Sequence, residues 1–197
     1  MLGRRRRRGW SVGGELGPEW YPLPVGSDRD DLRAAVATFL ADGAPAALGR
    51  PMPADEAGRL AAEVTGWCDV VEEMPGVVDA AVLRTEFDGP VEALLTMSLS
   101  GWPRRRSLQA WVEEYLAGAA AEVTEEQLPV GPALRVHQEG EVDPDTGARI
   151  EAVGHLFRAP DGDVVWHQLA WEGQGDHRFC DTADALAAGL VFTRADG

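Results

Sequence analysis

The chain of 197 residues contains no lysine and no asparagine, a single isoleucine at position 150, and two cysteines. Without lysine there can be no phosphate-cradling GxxxxGK[ST] loop, and no GxGxxG stands between a strand pattern and a helix pattern. HExxH is missing too. Nucleotide-dependent chemistry and the common zinc-protease arrangement are therefore disfavoured, and no cofactor is expected. Cys68 and Cys180 lie too far apart for a CxxC metal knuckle or redox pair, and two thiols do not make a secreted disulfide scaffold; both read as reduced. No apolar run approaches the roughly 18 residues of a membrane span. Arg4 to Arg8 lead into Gly9, Trp10, Ser11, Val12, Gly13 and Gly14 instead of an apolar signal-peptide core. The expected location is the cytoplasm.

The missing residue types have AT-rich codons, so a very GC-rich bacterial genome of actinobacterial kind explains the composition. Arginine abundance then carries little functional information. There are 18 basic and 33 acidic residues, a net charge of −15. Five arginines fall in the first eight positions, which leaves 13 basic against 33 acidic residues in the body, a net of −20. Such a body repels nucleic acid and anionic membrane. With 45% hydrophobic residues, it is nevertheless rich enough in apolar side chains to fold around one core.

The pattern predicts a flexible arm rich in Arg, Gly and Pro over residues 1–26, one α+β domain over 27–192, and a frayed end over 193–197. Ser27 is the expected cap of a first helix carrying Leu32, Val36, Phe39 and Leu40, stopped at Asp42-Gly43. After a linker over 43–53, Ala57, Leu60, Ala61 and Val64 mark a second helix of residues 54–66, closed by Trp67. Asp88-Gly89 has the composition of a two-residue hairpin turn, which would set Val82 opposite Leu95 and Ala80 opposite Met97. Ser107 caps a third helix with the stripe Leu108, Trp111, Val112, Tyr115 and Leu116, the expected main cover of the sheet. Strands near 133–142, 148–158 and 163–172 form a meander, and Asp181 is the expected cap of a last helix. The fold class is α+β: a mostly antiparallel sheet, hairpin plus meander, flanked by helices as an α/β/α sandwich. In this element order, and in the closing run Asp181 to Phe192, residues 68–192 resemble the PsbP-like family. That resemblance implies a binding or accessory protein and carries over no individual site residue.

Two groups of residues are candidates for function. Trp10, Trp20 and Tyr21 stand outside the expected core elements, and Arg104, Arg105 and Arg106 precede a helix N-terminus where the dipole favours anions, not cations; both sets fit contact with another protein. The four histidines lie at positions 137, 155, 167 and 177. The loop Ala159 to Asp163 reads as a three-residue turn with Gly162 left-handed, which makes His155 and His167 direct cross-strand neighbours. A neutral structural pair is the expectation, with His137, His155, His167 and Glu151 as the alternative metal set. No catalytic residue is assigned. The expected function is non-enzymatic: protein binding or an assembly accessory role, with no membrane insertion and an oligomeric state left open. The alternatives are a small-ligand carrier and a metal-dependent hydrolase using the meander histidines.

Overall fold

The computed structural model describes residues 10–24, 28–142, 149–173 and 177–194. In chain order its elements are β1 (Trp10–Gly13), β2 (Trp20–Pro22), α1 (Arg29–Leu48), α2 (Ala54–Glu73), β3 (Val77–Leu83), β4 (Ala93–Ser100), α3 (Leu108–Leu116), β5 (Ala121–Leu128), β6 (Gly131–Val142), β7 (Arg149–Arg158), β8 (Val164–Glu172), α4 (His177–Ala188) and β9 (Val191–Arg194).

Asp28 opens α1, its Oδ1 accepting from the amides of Asp30 at 3.0 Å and Asp31 at 3.1 Å; Ser27 lies outside the described residues. The helix does not stop at Asp42-Gly43. It runs through Pro45 to Leu48 and ends at Gly49, whose φ of 67° is the left-handed cap that glycine accepts without strain. Leu40, Ala44 and Leu48 share one stripe and pack with Met52, Ala57 and Leu60. Leu40 and Leu60 are fully buried, and burying each gives roughly 1.5–3 kcal/mol, enough together to offset a proline that costs about 3 kcal/mol in a helix interior. Gly43 serves a close approach: a Cβ there would lie 2.9 Å from Phe87 Cζ. In the same way α2 continues past Trp67 to Glu73, because Thr65, Cys68 and Val71 extend the buried stripe of Ala57, Leu60, Ala61 and Val64.

Among the described residues seven strands form one sheet in the order β2-β3-β4-β8-β7-β6-β5, each pair antiparallel. The fold is α+β with a mostly antiparallel sheet. The β3–β4 register differs by one residue from the expected one: Val82 pairs with Leu94, Ala80 with Thr96 and Ala81 with Leu95. A slip of one exchanges the faces, and the alternation gave no warning because Ala80 to Leu83 and Ala93 to Met97 are buried on both sides. Nor is the turn a two-residue one. Residues 84–92 wrap around the buried Arg84, whose Nε donates to Gly89 O at 2.8 Å.

On one face of the sheet, α1 and α2 cover the β3–β4 end and α3 covers the meander end around Leu134, Leu156 and Trp166. Thus α3 shares its side of the sheet and is not the main cover. On the other face α4 packs on β7 and β8, and β1 pairs with β9 as a second, two-stranded sheet. Asp181 lies inside α4, which begins at His177, and β5 is a strand that the sequence pattern did not predict.

The expected loose arm is a docked segment over residues 10–23. Trp10 pairs with Arg194 across β1–β9 and meets Phe192 edge-to-face at 5.3 Å; Trp20 pairs with Leu83, and Trp10, Trp20 and Leu23 are buried. Glycine and proline spacing concealed this, since each strand is only three or four residues long. Thr193 and Arg194 belong to β9 instead of fraying, while Arg4 to Arg8 and residues 195–197 lie outside the described residues. Deleting residues 1–13, or the single change Trp10→Ala, is expected to lower stability by several kcal/mol, about 3–5 for the latter. Urea denaturation checks this, and a loss below about 1 kcal/mol would return the segment to a loose arm.

Candidate functional site

The turn between β7 and β8 has the expected geometry: Ala159 donates to Asp163 O at 2.9 Å, Gly162 to Ala159 O at 2.8 Å, and Gly162 has φ 94°. It sets Phe157 opposite Val165, His155 opposite His167 and Val153 opposite Leu169. Both imidazoles point to the α4 face and are buried. His155 Nε2 lies 3.1 Å from Asp184 Oδ1 on α4 and 3.5 Å from Glu126 Oε2 on β5. Asp184 Oδ1 is already held at 2.8 Å by Nε of Arg135 on β6, which also has Glu126 Oε1 at 3.9 Å. His155 Nε2 thus lies close to the Asp184 carboxylate, but among the described residues neither ring nitrogen of His155 meets an aligned hydrogen-bond partner.

Burial decides the protonation states. It lowers His155 to about 4 against the opposing pull of Asp184, with Arg135 adding to the depression. It lowers His167 to about 3, helped by His155. Burial also raises the Glu126 carboxyl, as does nearby Asp184, with Arg135 opposing. Burial raises the Cys180 thiol one turn before Asp184. Groups that stay uncharged to such low pH are poor proton acceptors near neutrality, where an efficient general base titrates close to the working pH.

The alternative metal set does not converge. His137 pairs with Val153 on β7, two pairs along from His155, and Glu151 pairs with Trp171 and Glu139 beyond that. Among the described residues no three His, Cys, Asp or Glu side chains are placed to hold a metal. His177 belongs to α4; its side chain lies outside the described ones.

A second constellation lies on the opposite face. Arg158 at the end of β7 donates from Nη1 to Trp102 O at 3.1 Å and Gly162 O at 2.7 Å, and from Nη2 to Pro103 O at 3.3 Å and to Arg106 O. Arg104 reaches back over Gly162 and donates from Nη2 to Asp161 O at 2.6 Å. The loop 102–106 is therefore laced to the β7–β8 turn. Ser107 caps α3, its Oγ accepting from Ala110 at 3.1 Å. Of the three arginines, Arg104 is a staple, and Arg106 lies 4.0 Å over the Trp102 ring and 3.0 Å from Glu114. Arg105 points out to solvent without a partner among the described residues. Beyond the loop Trp111 stacks on Tyr115 at 4.8 Å, and both meet Trp166. Trp111 is buried; Tyr115 is 47% exposed, so only one of the two aromatics expected in the core is there. Trp166 lies across Gly154, where any Cβ would run into its ring.

Of the aromatics singled out in the sequence, Trp10 and Trp20 belong to the core on the α4 side, and Tyr21 packs against Phe39 at 6.1 Å under the Arg84 guanidinium. Gly9 to Gly13 also has the GxSxG spelling of a nucleophile elbow. Ser11 lies within β1, its Oγ 2.6 Å from Thr193 Oγ1, and not at the strand-to-helix bend that exposes such a serine. Glu126, Arg135 and Asp184 were missed as partners of the histidines. The only signal was that β5 would have to be a strand.

No family model matches the chain, and no curated protein matches it. Among solved structures it is similar to LpqN, involved in cell envelope biogenesis of Mycobacterium tuberculosis, at 11% identity and a TM-score of 0.40, with 98% of this chain and 90% of that chain covered. A likeness this loose assigns neither a fold family nor an activity.

Two outcomes are expected. Proton NMR titration should show the His155 and His167 rings changing state well below the usual 6.5, near 4 and 3 and mutually dependent; ordinary, independent midpoints would reject the buried pair. Gly154→Ala should destabilise the fold by about 1–3 kcal/mol, as overpacking does, in a thermal melt. A neutral result would mean that the Trp166 ring does not lie on that strand.

Proposed function

We propose that the chain is a non-enzymatic binding or accessory protein that meets an acidic segment of another protein through the surface around α3. The observation that carries this reading is that the exposed Arg105, on a loop rigidly tied to the sheet, and the half-exposed Tyr115 stand before the start and near the end of the same helix, α3. Tyrosine and arginine on a preorganised surface are the residue types that dominate protein interfaces. A positive spot on a body of net −20 selects its partner by charge. The cation is Arg105 above all, since Arg106 is shared with Glu114 and Arg104 with the turn. The buried histidines support the reading from the other side, because chemistry near neutral pH would need groups that titrate there. The PsbP-like resemblance in element order, a cytoplasmic location and an actinobacterial source belong to the same proposal. Among the described residues no helix is long and apolar enough to cross a membrane.

The test is affinity capture from the native host with the wild-type chain and with Arg105→Glu/Tyr115→Ala. A partner recovered by the first should bind the second at least about tenfold more weakly, a loss of 1.4 kcal/mol, and should dissociate more readily as salt rises. Equal recovery by both proteins, with equal melting temperatures, would overturn the assignment of this surface.

A further inference from the structure

We infer that the cluster of Glu126, Arg135, His155, His167 and Asp184 is a latch for α4 that acid releases, freeing the helix from the sheet before the sheet itself unfolds. The helix rests on β7 and β8, the two strands that carry the histidines. Those strands keep their ladders whether or not α4 is in place: β8 is paired on both sides by β4 and β7, and β7 by β8 and β6. Lifting α4 therefore breaks side-chain contacts and no strand hydrogen bond. The contacts include the apolar ones of Phe179, Ala183 and Ala187, with the Phe179–Trp171 stack at 5.3 Å, the Asp184–Arg135 pair at 2.8 Å and the exposed Arg178–Glu92 pair at 2.9 Å.

The charges that face the histidines decide the response to protons. From β5 comes Glu126, from β6 Arg135, and from α4 Asp184 and Cys180; Glu151 lies farther along β7 and faces Cys180. A proton on His155 would find Asp184 and Glu126 close by, although Arg135 already uses both. A proton on His167 has no such relief. It sits between Met97 on β4 and His155 on β7, 3% exposed, with no carboxylate in ion-pair reach among the described residues. A buried cation without a counter-charge is met by water or by opening. Water reaches the histidine face of β7 and β8 once α4 lifts from those strands. His167 is the releasing group, and His155 couples it to Asp184 and hence to α4.

The direction follows from proton counting. Closed, the two rings hold values near 4 and 3; opened to water, each returns toward about 6.5. The open form then binds more protons, so the closed form loses stability as pH falls below about 6.5 and ceases to lose it below the closed-state values. By pH 4.5 each histidine can raise the opening constant by up to about 100-fold.

Hydrogen exchange read by mass spectrometry on the full chain, normalised to the intrinsic exchange rate at each pH, tests the inference. Between pH 7 and 4.5, peptides from α4 are expected to lose at least tenfold in protection while those from β6, β7 and β8 hold theirs. His167→Gln, or His167→Met beside Met97 should the glutamine variant not fold, should cut the acid response of α4 at least tenfold and leave the share that belongs to His155. Loss of protection in α4 and the sheet together at one pH would overturn the latch. So would an acid response undiminished in a folded His167 variant, or no acid response in the wild type.

Discussion

The three-residue turn at Pro160, Asp161 and Gly162 fixes the register of β7 against β8, and both candidate sites depend on that register. Toward α4 it brings the two imidazoles side by side. On the opposite face it places Trp166 beside Gly154. The turn also holds the loop before α3, because Arg158 donates to Gly162 O and to three carbonyls of that loop, while Arg104 lies where any side chain on residue 162 would stand. Gly162 is thus required twice, for its positive φ and for the guanidinium packed on it.

Legibility followed the range of the interaction. The β7–β8 pairing was readable because a short turn with defined chemistry converts sequence distance directly into cross-strand contact; the meander and the α3 cap were readable for the same reason. The β3–β4 register was not, since a nine-residue loop organised by a buried arginine looks from sequence like an Asp-Gly turn, and two-sided burial removes the alternation that would have corrected it. The helix ends at Gly43 and Trp67 were misplaced because tertiary contacts with Phe87 and along the buried stripe of α2 outweigh local propensity. β1, β2 and β9 are too short to show a period, and their partners lie far away in sequence.

The same distinction applies to the candidate sites. The histidine pair was visible through the turn, whereas its charged neighbours come from β5, β6 and α4, and nothing local links Glu126 or Asp184 to His155. The arginine triplet was visible as a break in the usual charge preference at a helix start. What separates its members is the partners they meet: carbonyls of the turn engage Arg104, an aromatic ring and Glu114 engage Arg106, and Arg105 is left facing outward without a partner among the described residues.

A chain of contacts runs from the interior to that surface, and it begins with the absence of one carbon atom. In a central strand glycine is unfavourable, because it adds backbone entropy to the unfolded chain and offers no side chain to pack. At position 154 the missing Cβ lets the Trp166 ring lie against β7. With Trp166 down on the strand, Trp111 can tilt onto it at 5.7 Å and stay buried beneath α3. Tyr115, one turn later on the helix, then stacks on Trp111 from outside and is left half in solvent. Its exposure is the outcome of packing two indoles below it, and it reaches the surface on the helix whose capped start the arginine loop supplies.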